Sequence, residues 1–182
     1  MTLSKNKGVS LIEVIVTTLI LGIGLLGVAA LQMSSINTNQ SGYYRSQATS
    51  ISNDLSARIR SAKSAYYGGS SVNQIINAYS ETPYNCDAAA KSCIANSCTE
   101  AEVVAFDKWE VCELAKNLLP DGEVYVVGAS GIRMKVAIAW TPVESRQDLG
   151  LTDNDNTSNT RCLDANIPAD SGKDCVILEV VP

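Results

Sequence analysis

The chain has 182 residues, of which 46% are apolar and 18% charged, a size that suits one domain with or without an appendage. Its formal net charge of -5 argues against a protein that binds nucleic acid through a basic face. Histidine is absent, which excludes Ser-His-Asp and Cys-His catalysis as well as histidine-containing zinc sites.

The amino terminus has the pattern of a membrane segment. Residues 1–8 carry two positive charges, Lys5 and Lys7, and no negative one, whereas Val14–Leu31 carries no charge at all. As a helix, residues 9–32 would be roughly 36 Å long, enough to cross a hydrocarbon core of about 30 Å. The two lysines predict that residues 1–8 stay on the cytoplasmic side and that the rest of the chain is outside.

Three interpretations of this segment are open: a cleaved secretory signal with a small-residue site at residues 27–30, a plain anchor, and a segment with a role in assembly. The first two leave Glu13 unexplained, because a carboxylate in an apolar segment is costly. If the chain were cut after Gly8, Val9 would carry a new α-ammonium group. The partner of Glu13 could then be the ammonium group of the same chain or that of a neighbouring copy. Pairing that group with Glu13 would compensate both charges.

The residues that carry a family resemblance are Lys5-Asn6-Lys7-Gly8 followed by Val9-Ser10-Leu11-Ile12-Glu13-Val14 and an apolar run. This stretch resembles the class III signal of type IV pilins and type II secretion pseudopilins, although the family usually has Phe at the position of Val9. The resemblance implies cleavage after Gly8 by a prepilin peptidase, N-methylation of Val9, and a role for Glu13 in docking subunits.

Beyond the apolar segment, one apolar stripe continues at spacings of three and four residues from Ile36 to Tyr66. Because no proline occurs before residue 83, the pattern predicts one helix from about Ser10 to Tyr66, ended by Gly68-Gly69. Its outer, amphipathic half covers residues 33–67. Three glycines in the apolar part indicate either close helix packing in a membrane or a point where the helix bends, at residues 22, 24 and 27.

Residues 68–182 read as an exported α+β domain. A second helix is predicted over Thr99–Leu119, with Thr99 as its N-cap and an apolar face supplied by Val103, Phe106, Val111, Leu114 and Leu118. A turn at residues 120–122 precedes three strands, at 123–127, 132–140 and 176–181. The Gly128–Gly131 stretch is explained by a hairpin turn rather than a nucleophile elbow. Such a sheet would cover the outer half of the long helix, which is the type IV pilin fold.

The second helix adds a narrower resemblance. This resemblance is to PilV-type minor pilins, and it covers residues 98–109, the turn at 118–122 and the Trp-containing strand at 136–140. Six cysteines also favour a minor subunit, because a major pilin usually keeps one terminal disulfide loop. An exported domain is where disulfides persist.

The cysteines are expected to form structural disulfides. Cys162 and Cys175 are the expected pair because they resemble the carboxy-terminal loop staple of pilins, which leaves Cys86, Cys93, Cys98 and Cys112 to pair in an order that the sequence does not give. No CxxC spacing indicates a metal or redox site. An acidic run, Asp153–Thr157 with Asp164, is similar to a calcium loop, but Ser158 replaces the required glycine, and a solvated loop explains it.

These patterns predict a structural protein and no enzyme, with no cofactor, no metal, no nucleic acid and no small-molecule substrate. The resemblance implies a minor pilin that is processed by prepilin peptidase and held by a single span in the bacterial inner membrane. Its carboxy-terminal domain would lie in the periplasm until the protein joins other minor and major pilins, in a priming or tip complex of a type IV pilus. A type II secretion pseudopilin and an anchored periplasmic binding module are the alternatives.

Overall fold

The computed structural model describes residues 10–65, 72–87, 91–129, 131–142, 160–168 and 171–182. The chain divides between Gln40 and Ser41 into two compact units. Its elements in chain order are α1 (Leu11–Ala65), α2 (Val72–Tyr79), α3 (Glu100–Leu118), β1 (Glu123–Gly128), β2 (Met134–Trp140), a 3₁₀ helix (Thr160–Ala165) and β3 (Asp174–Val180). The fold class is α+β, with a long amino-terminal helix and a small antiparallel sheet, as in the type IV pilin fold.

The predicted long helix is confirmed. It begins after Ser10, whose carbonyl oxygen accepts hydrogen bonds from the backbone N–H groups of Glu13 and Val14 at 3.0 and 3.3 Å. α1 continues without a break through its glycines at 22, 24 and 27, and a Cβ at any of them would meet no atom within 4 Å apart from its chain neighbours and the helix's own backbone. Contacts within the described chain therefore do not require glycine there. Tyr66 and the pair Gly68-Gly69 lie outside the described residues.

The apolar stripe of α1 is buried in the second unit. Its members recur every three or four residues and are at most 4% exposed, namely Ala48, Ile51, Leu55, Ile59 and Ala62. Ser52 and Ser56 lie on the same buried face, and their hydroxyl groups donate to backbone carbonyl oxygens one turn earlier, at 2.9 and 2.7 Å. These bonds satisfy the two polar side chains inside the core. Ile36, which belongs to the first unit, is 59% exposed.

The sheet is antiparallel in the order β1-β2-β3. One face contributes alternate residues to the core that contains the α1 stripe: Val124, Val126, Val136, Ile138 and Val180. The opposite face forms a smaller core with the 3₁₀ helix, through Tyr125, Ala137, Ala139, Cys162, Ala165 and Ile167. All three predicted strands are present, but β2 begins at Met134 and Ile132 is exposed in the preceding turn.

The second predicted helix is confirmed as α3, but its predicted apolar face is wrong in part. Leu114 and Leu118 are 37% and 38% exposed, whereas Val104, Cys112 and Ala115 are buried. Apolar residues occur on both sides of this helix, so its periodicity did not fix which side packs inward. The packing of α3 on β1 and α2 decides it.

The turn after α3 depends on one glycine. A Cβ at Gly122 would run into the backbone carbonyl of Ala115 in the last turn of α3. The preceding residue, Asp121, has φ +50°, a left-handed conformation that aspartate tolerates better than most residues. The Pro120-Asp121-Gly122 turn therefore brings β1 directly against the end of the helix.

Two short helices were not predicted. In α2, Ile75, Ile76 and Tyr79 are buried against the main core, and the spacing of Val72, Ile75, Ile76 and Tyr79 is the helical signal that the sequence offered. The 3₁₀ helix has no comparable pattern. It is held on the outer face of the sheet by the burial of Cys162 and Ala165.

Candidate assembly surface

The apolar part of α1 is uncovered. From Leu11 to Ile36, every large apolar side chain is exposed, from 46% at Val16 to 80% at Leu11. By its length and composition this helix could cross a membrane. A continuous apolar surface of this size calls for lipid or other apolar helices around it, since soluble monomers rarely expose such a surface to water.

The two threonines within the uncharged stretch of this surface are satisfied within the helix. Thr17 donates its hydroxyl hydrogen to the carbonyl oxygen of Val14 at 2.9 Å, and the Thr18 hydroxyl lies 2.9 Å from the carbonyl oxygens of both Val14 and Ile15. Such bonds allow threonine to lie in an apolar environment at low cost. They leave one carboxylate to be explained.

Glu13 lies in the first turn of α1. No group among the described residues donates a hydrogen bond to its carboxylate or forms an ion pair with it. Its place at the helix amino terminus lowers the cost of the charge, because the backbone dipole is positive there. Gly8 and Val9, which the resemblance implicates in cleavage and methylation, lie outside the described residues. The described part of the segment therefore presents a carboxylate to which an ammonium group could bind.

In the second unit, Arg58 connects α1 to α3. Its guanidinium group contacts Asp54 at 2.9 Å, Asp107 at 3.1 Å and Glu110 at 2.5 Å. Burial acts to lower the pKa of Arg58, but its bonds to Glu110, Asp54 and Asp107 outweigh that effect and raise it. Asp107 also accepts a hydrogen bond from the buried Tyr79 hydroxyl at 2.6 Å, which ties α2 to the same group.

A second polar group lies next to the first. The buried Tyr84 hydroxyl donates to the carbonyl oxygen of Tyr79 at 2.8 Å, and Lys108 lies 5.3 Å from the centre of the Tyr84 ring while bonding Glu81 at 3.0 Å. Burial, followed by the charges of Glu81 and Asp107, raises the pKa of the Tyr84 phenol well above its ordinary value. Tyr84 therefore stays neutral and serves as a structural hydrogen-bond donor.

A third polar group joins the start of β3 to the start of β1. Lys173 is 7% exposed and contacts the carboxylates of Asp121 at 2.9 Å and Glu123 at 2.8 Å. The hydrogen bond from Lys173 lowers the pKa of the Asp121 carboxyl group. Burial, and then the hydrogen bond to Glu123, raises the pKa of the Tyr125 phenol. Each charge in this group has a partner, so the group is built for stability rather than reactivity.

All six cysteines are joined in three disulfides. Cys162 is bonded to Cys175, the pair that the resemblance implies, and the structure supplies the pairs that the sequence left open: Cys86 with Cys112 and Cys93 with Cys98. Their Cα atoms are 5.5 to 5.9 Å apart, within the usual range. The Cys86–Cys112 bond attaches the segment after α2 to the buried face of α3.

Three other kinds of site were considered from the sequence: a metal site, a calcium loop and a nucleophile elbow. Among the described residues no group of three or more His, Cys, Asp or Glu side chains could hold a metal ion. The run Asp153–Thr157 and Ser158 lie outside the described residues, and Asp164 is exposed on the 3₁₀ helix. In the 128–131 turn, Gly131 has φ +79° and the Ala129 N–H donates to the Arg133 carbonyl oxygen at 2.8 Å, while Ser130 is not described.

Sequence reasoning missed the charged residues that connect the elements. Arg58, Asp107 and Lys173 each contact partners from other parts of the chain. The one local signal was the spacing of Asp54 and Arg58, four residues apart on one helix face. Nothing local pointed to Asp107 or Lys173.

Two family models match the chain. Residues 30–109 match a family described as Tt1218-like, type IV pilin Tt1218, and residues 3–29 match the prokaryotic N-terminal methylation motif. No curated protein and no solved structure matches the chain. The two matches support a type IV pilin with a pilin or pilus-related function, and the fold agrees with them. They do not distinguish a PilV-type subunit, which stays a prediction.

Proposed function

We propose that this protein is a minor pilin that contributes to type IV pilus assembly in a priming or tip complex. The observation that carries the proposal is Glu13, one carboxylate without a described partner in the uncovered part of α1, residues 11–36, which carries no other charge. The match of residues 3–29 to the N-terminal methylation motif supports the same reading. In this proposal residues 9–32 hold the protein in the inner membrane and later pack among other pilin helices.

The proposed processing explains how Glu13 is compensated. Prepilin peptidase would cleave after Gly8, and Val9 would become a methylated amino-terminal residue that carries a positive charge. An ion pair between that ammonium group and Glu13 of a neighbouring subunit would remove two uncompensated charges from an apolar bundle. Removing one partner of such a buried pair typically costs about 3–5 kcal/mol, enough to select the position of a subunit.

The minor rather than major role is supported by the three disulfides and by α3, which resembles the corresponding helix of PilV-type subunits. The 41–182 unit would lie in the periplasm and then on the pilus. A type II secretion pseudopilin shares the signal and the helix, so it is the alternative that an experiment must separate.

The first experiment measures the intact mass of the protein isolated from its own cells. We expect loss of residues 1–8, one added methyl group and six cysteines without thiol hydrogens. A chain that still begins at Met1 would contradict the proposed processing and favour an anchored binding module. Co-purification with sheared pili, rather than with a secretion complex, separates the pilin from the pseudopilin.

The second experiment replaces Glu13. We expect Glu13→Ala to be cleaved normally and to accumulate in the membrane, but to be depleted in sheared pili by about tenfold or more, since 1.4 kcal/mol corresponds to a factor of ten. Thr17→Ala is the matched control, because Thr17 lies one turn further along the same helix and bonds only within it. Incorporation of Glu13→Ala at the level of the control would contradict the pairing argument.

A further inference from the structure

The two outer edges of the sheet, at β1 and at β3, differ in their backbone pairing with the rest of the described chain. The outer edge of β1 is closed by the chain itself, because Glu81 exchanges two backbone hydrogen bonds with Val126 at 2.9 Å and the Tyr84 N–H donates to Val124 at 2.8 Å. No strand of the described chain pairs with the outer edge of β3. Open edges attract other chains, and proteins usually block them with proline, lysine or a bulge. β3 has neither proline nor lysine among its seven residues.

The hydrogen-bonding direction of β3 follows from the sheet register. On β1, Val124 and Val126 direct their backbone groups outward to Tyr84 and Glu81, so alternation through β2 directs the backbone groups of Cys175 away from β2. The Cys175 N–H accordingly donates to the side chain of Asp174 at 2.9 Å. Because backbone groups alternate along an antiparallel strand, Ile177 and Glu179 also direct their N–H and C=O groups away from β2. Neither residue has a backbone partner at this edge among the described residues. Two successive donor–acceptor pairs therefore face outward.

An open cleft of about 570 Å³ follows this edge. β3 forms its floor, α1 contributes Arg45 and Thr49, and the 3₁₀ helix contributes Arg161 and Asp164. These residues all belong to the same compact unit. The cleft is therefore a groove that can receive an extended chain alongside β3.

The groove presents the side chains of Lys135 and Arg45 to an approaching chain, although the protein as a whole is acidic. Arg45, Lys135 and Arg161 line it against two carboxylates, Asp164 and Glu179. Glu179 is already bonded to Arg133 at 3.5 Å, and Arg45 lies 3.9 Å from Asp174. Lys135 donates only to the carbonyl oxygen of Asp164, at 3.4 Å, and within the described part of the chain it has no carboxylate in ion-pair range.

We infer that the outer edge of β3 is a strand-addition site for an extended, acidic segment of a partner protein. The main-chain groups of Ile177 and Glu179 would pair with the backbone of that segment, and Lys135 with Arg45 would bind its carboxylates. Main-chain pairing supplies affinity in this mode of recognition, and the flanking side chains supply specificity. The site does not depend on the proposed role of Glu13, so the two proposals can fail separately.

The test uses the full-length, isotope-labelled chain in detergent micelles and two blocked synthetic peptides. The acidic probe is Thr-Glu-Val-Glu-Val-Thr and the basic control is Thr-Lys-Val-Lys-Val-Thr. At an acidic peptide concentration about ten times its Kd, hydrogen exchange at the Ile177 and Glu179 amides should slow about tenfold, because they exchange only in the free fraction. The Val176 amide, which faces β2, should change far less.

Two variants with matched controls separate the backbone and charge contributions. Ile177→Pro removes an outward N–H without removing a hydrogen bond to β2 and should abolish binding, whereas Ile177→Val keeps the N–H and should bind normally. Lys135→Gln should weaken binding of the acidic peptide several-fold, and Lys116→Gln, which lies outside the groove and contacts Asp87, should not. If Ile177→Pro fails to fold, the hydrogen-exchange data and the comparison of Lys135→Gln with Lys116→Gln still decide whether the peptide binds at this edge.

Three results would overturn the inference. The first is slow exchange at Ile177 and Glu179 without any peptide, which would mean that the edge is already covered. The second is equal binding of the acidic and basic peptides. The third is self-association of the free protein that Ile177→Pro abolishes, which would identify a second copy of β3 as the occupant.

Discussion

At the scale of single residues, Asp107 is a buried carboxylate that connects three helices of the second unit. It is 8% exposed, and burial of a carboxylate is tolerated only when its oxygens are well bonded. Asp107 meets this condition by accepting hydrogen bonds from Arg58 and Tyr79, so one side chain joins α3 to both α1 and α2. The same guanidinium also contacts Asp54, whose side chain is 44% exposed.

This contrast gives a prediction for two carboxylates that share one arginine. Asp107→Ala should lower the free energy of unfolding by about 1–3 kcal/mol, because buried donors lose their acceptor. Asp54→Ala should lower it by less than about 1 kcal/mol, because solvent already screens the exposed pair. Urea unfolding of the two variants measures the difference, and equal losses would show that burial of Asp107 is not what matters.

At the scale of elements, α3 is fixed at its amino terminus by side chains of its own. Thr99 accepts a hydrogen bond from the Glu102 N–H at 3.4 Å, and the Glu102 carboxylate accepts one from the Thr99 N–H at 2.8 Å. This capping box satisfies two backbone donors that a helix end leaves unbonded. The bond from the Thr99 backbone, together with the one from Lys91, lowers the pKa of Glu102 below its ordinary value of 4.5.

The lowered pKa makes the cap pH-dependent. Because the folded state favours the charged form of Glu102, its stabilisation is present above pH 4.5 and is lost as the pH falls through the lowered folded pKa. Glu102→Gln, which keeps a neutral acceptor, should be less stable than the unsubstituted protein at neutral pH and should approach it in acid. Glu100→Gln, in the same turn but outside the capping box, is the control, and urea midpoints at both pH values are the measurement. A gap between Glu102→Gln and the unsubstituted protein that stays the same in acid would contradict this assignment.

At the scale of the whole molecule, the three disulfides differ in how exposed their cysteines are. Cys162 and Cys175 are 0% and 7% exposed in the core beneath the 3₁₀ helix, and Cys112 is 1% exposed in the main core. Cys93 and Cys98 are only half-buried, and Ile94 between them is 80% exposed. The bonds therefore differ in how readily a reagent in solution reaches them.

Stepwise reduction of the folded protein should follow this order. With limiting phosphine and an alkylating reagent, Cys93 and Cys98 should be modified first, because both cysteines of that bond are half-buried. Cys86 is half-buried too but its partner Cys112 is buried, so that bond should follow, and Cys162 and Cys175 should react only when the domain opens. Loss of the Cys162–Cys175 bond should lower stability by about 3 kcal/mol, as expected for a loop of its length. Peptide mapping of the alkylated protein gives both the order and the pairing, and early modification of Cys162 would contradict the described burial.

Local sequence patterns determined much of the secondary structure of this protein. The apolar pattern predicted the long helix α1 and its start to within one residue, the Thr99 cap predicted the start of α3, and alternating runs located the three strands. Glu13 was identified from its isolation in an apolar run. Each of these signals lies within a few residues of what it predicts, so it can be read without knowing the fold.

Only the tertiary structure decided which residues meet across the chain. Arg58 and Asp107 are 49 residues apart, and nothing near either residue indicates the other. The same is true of the Cys86–Cys112 bond, the inward side of α3, and the outer edge of β3, with which no strand of the described residues pairs. These features depend on how helices and strands pack, because side chains distant in sequence share a contact only after the core has brought their elements together.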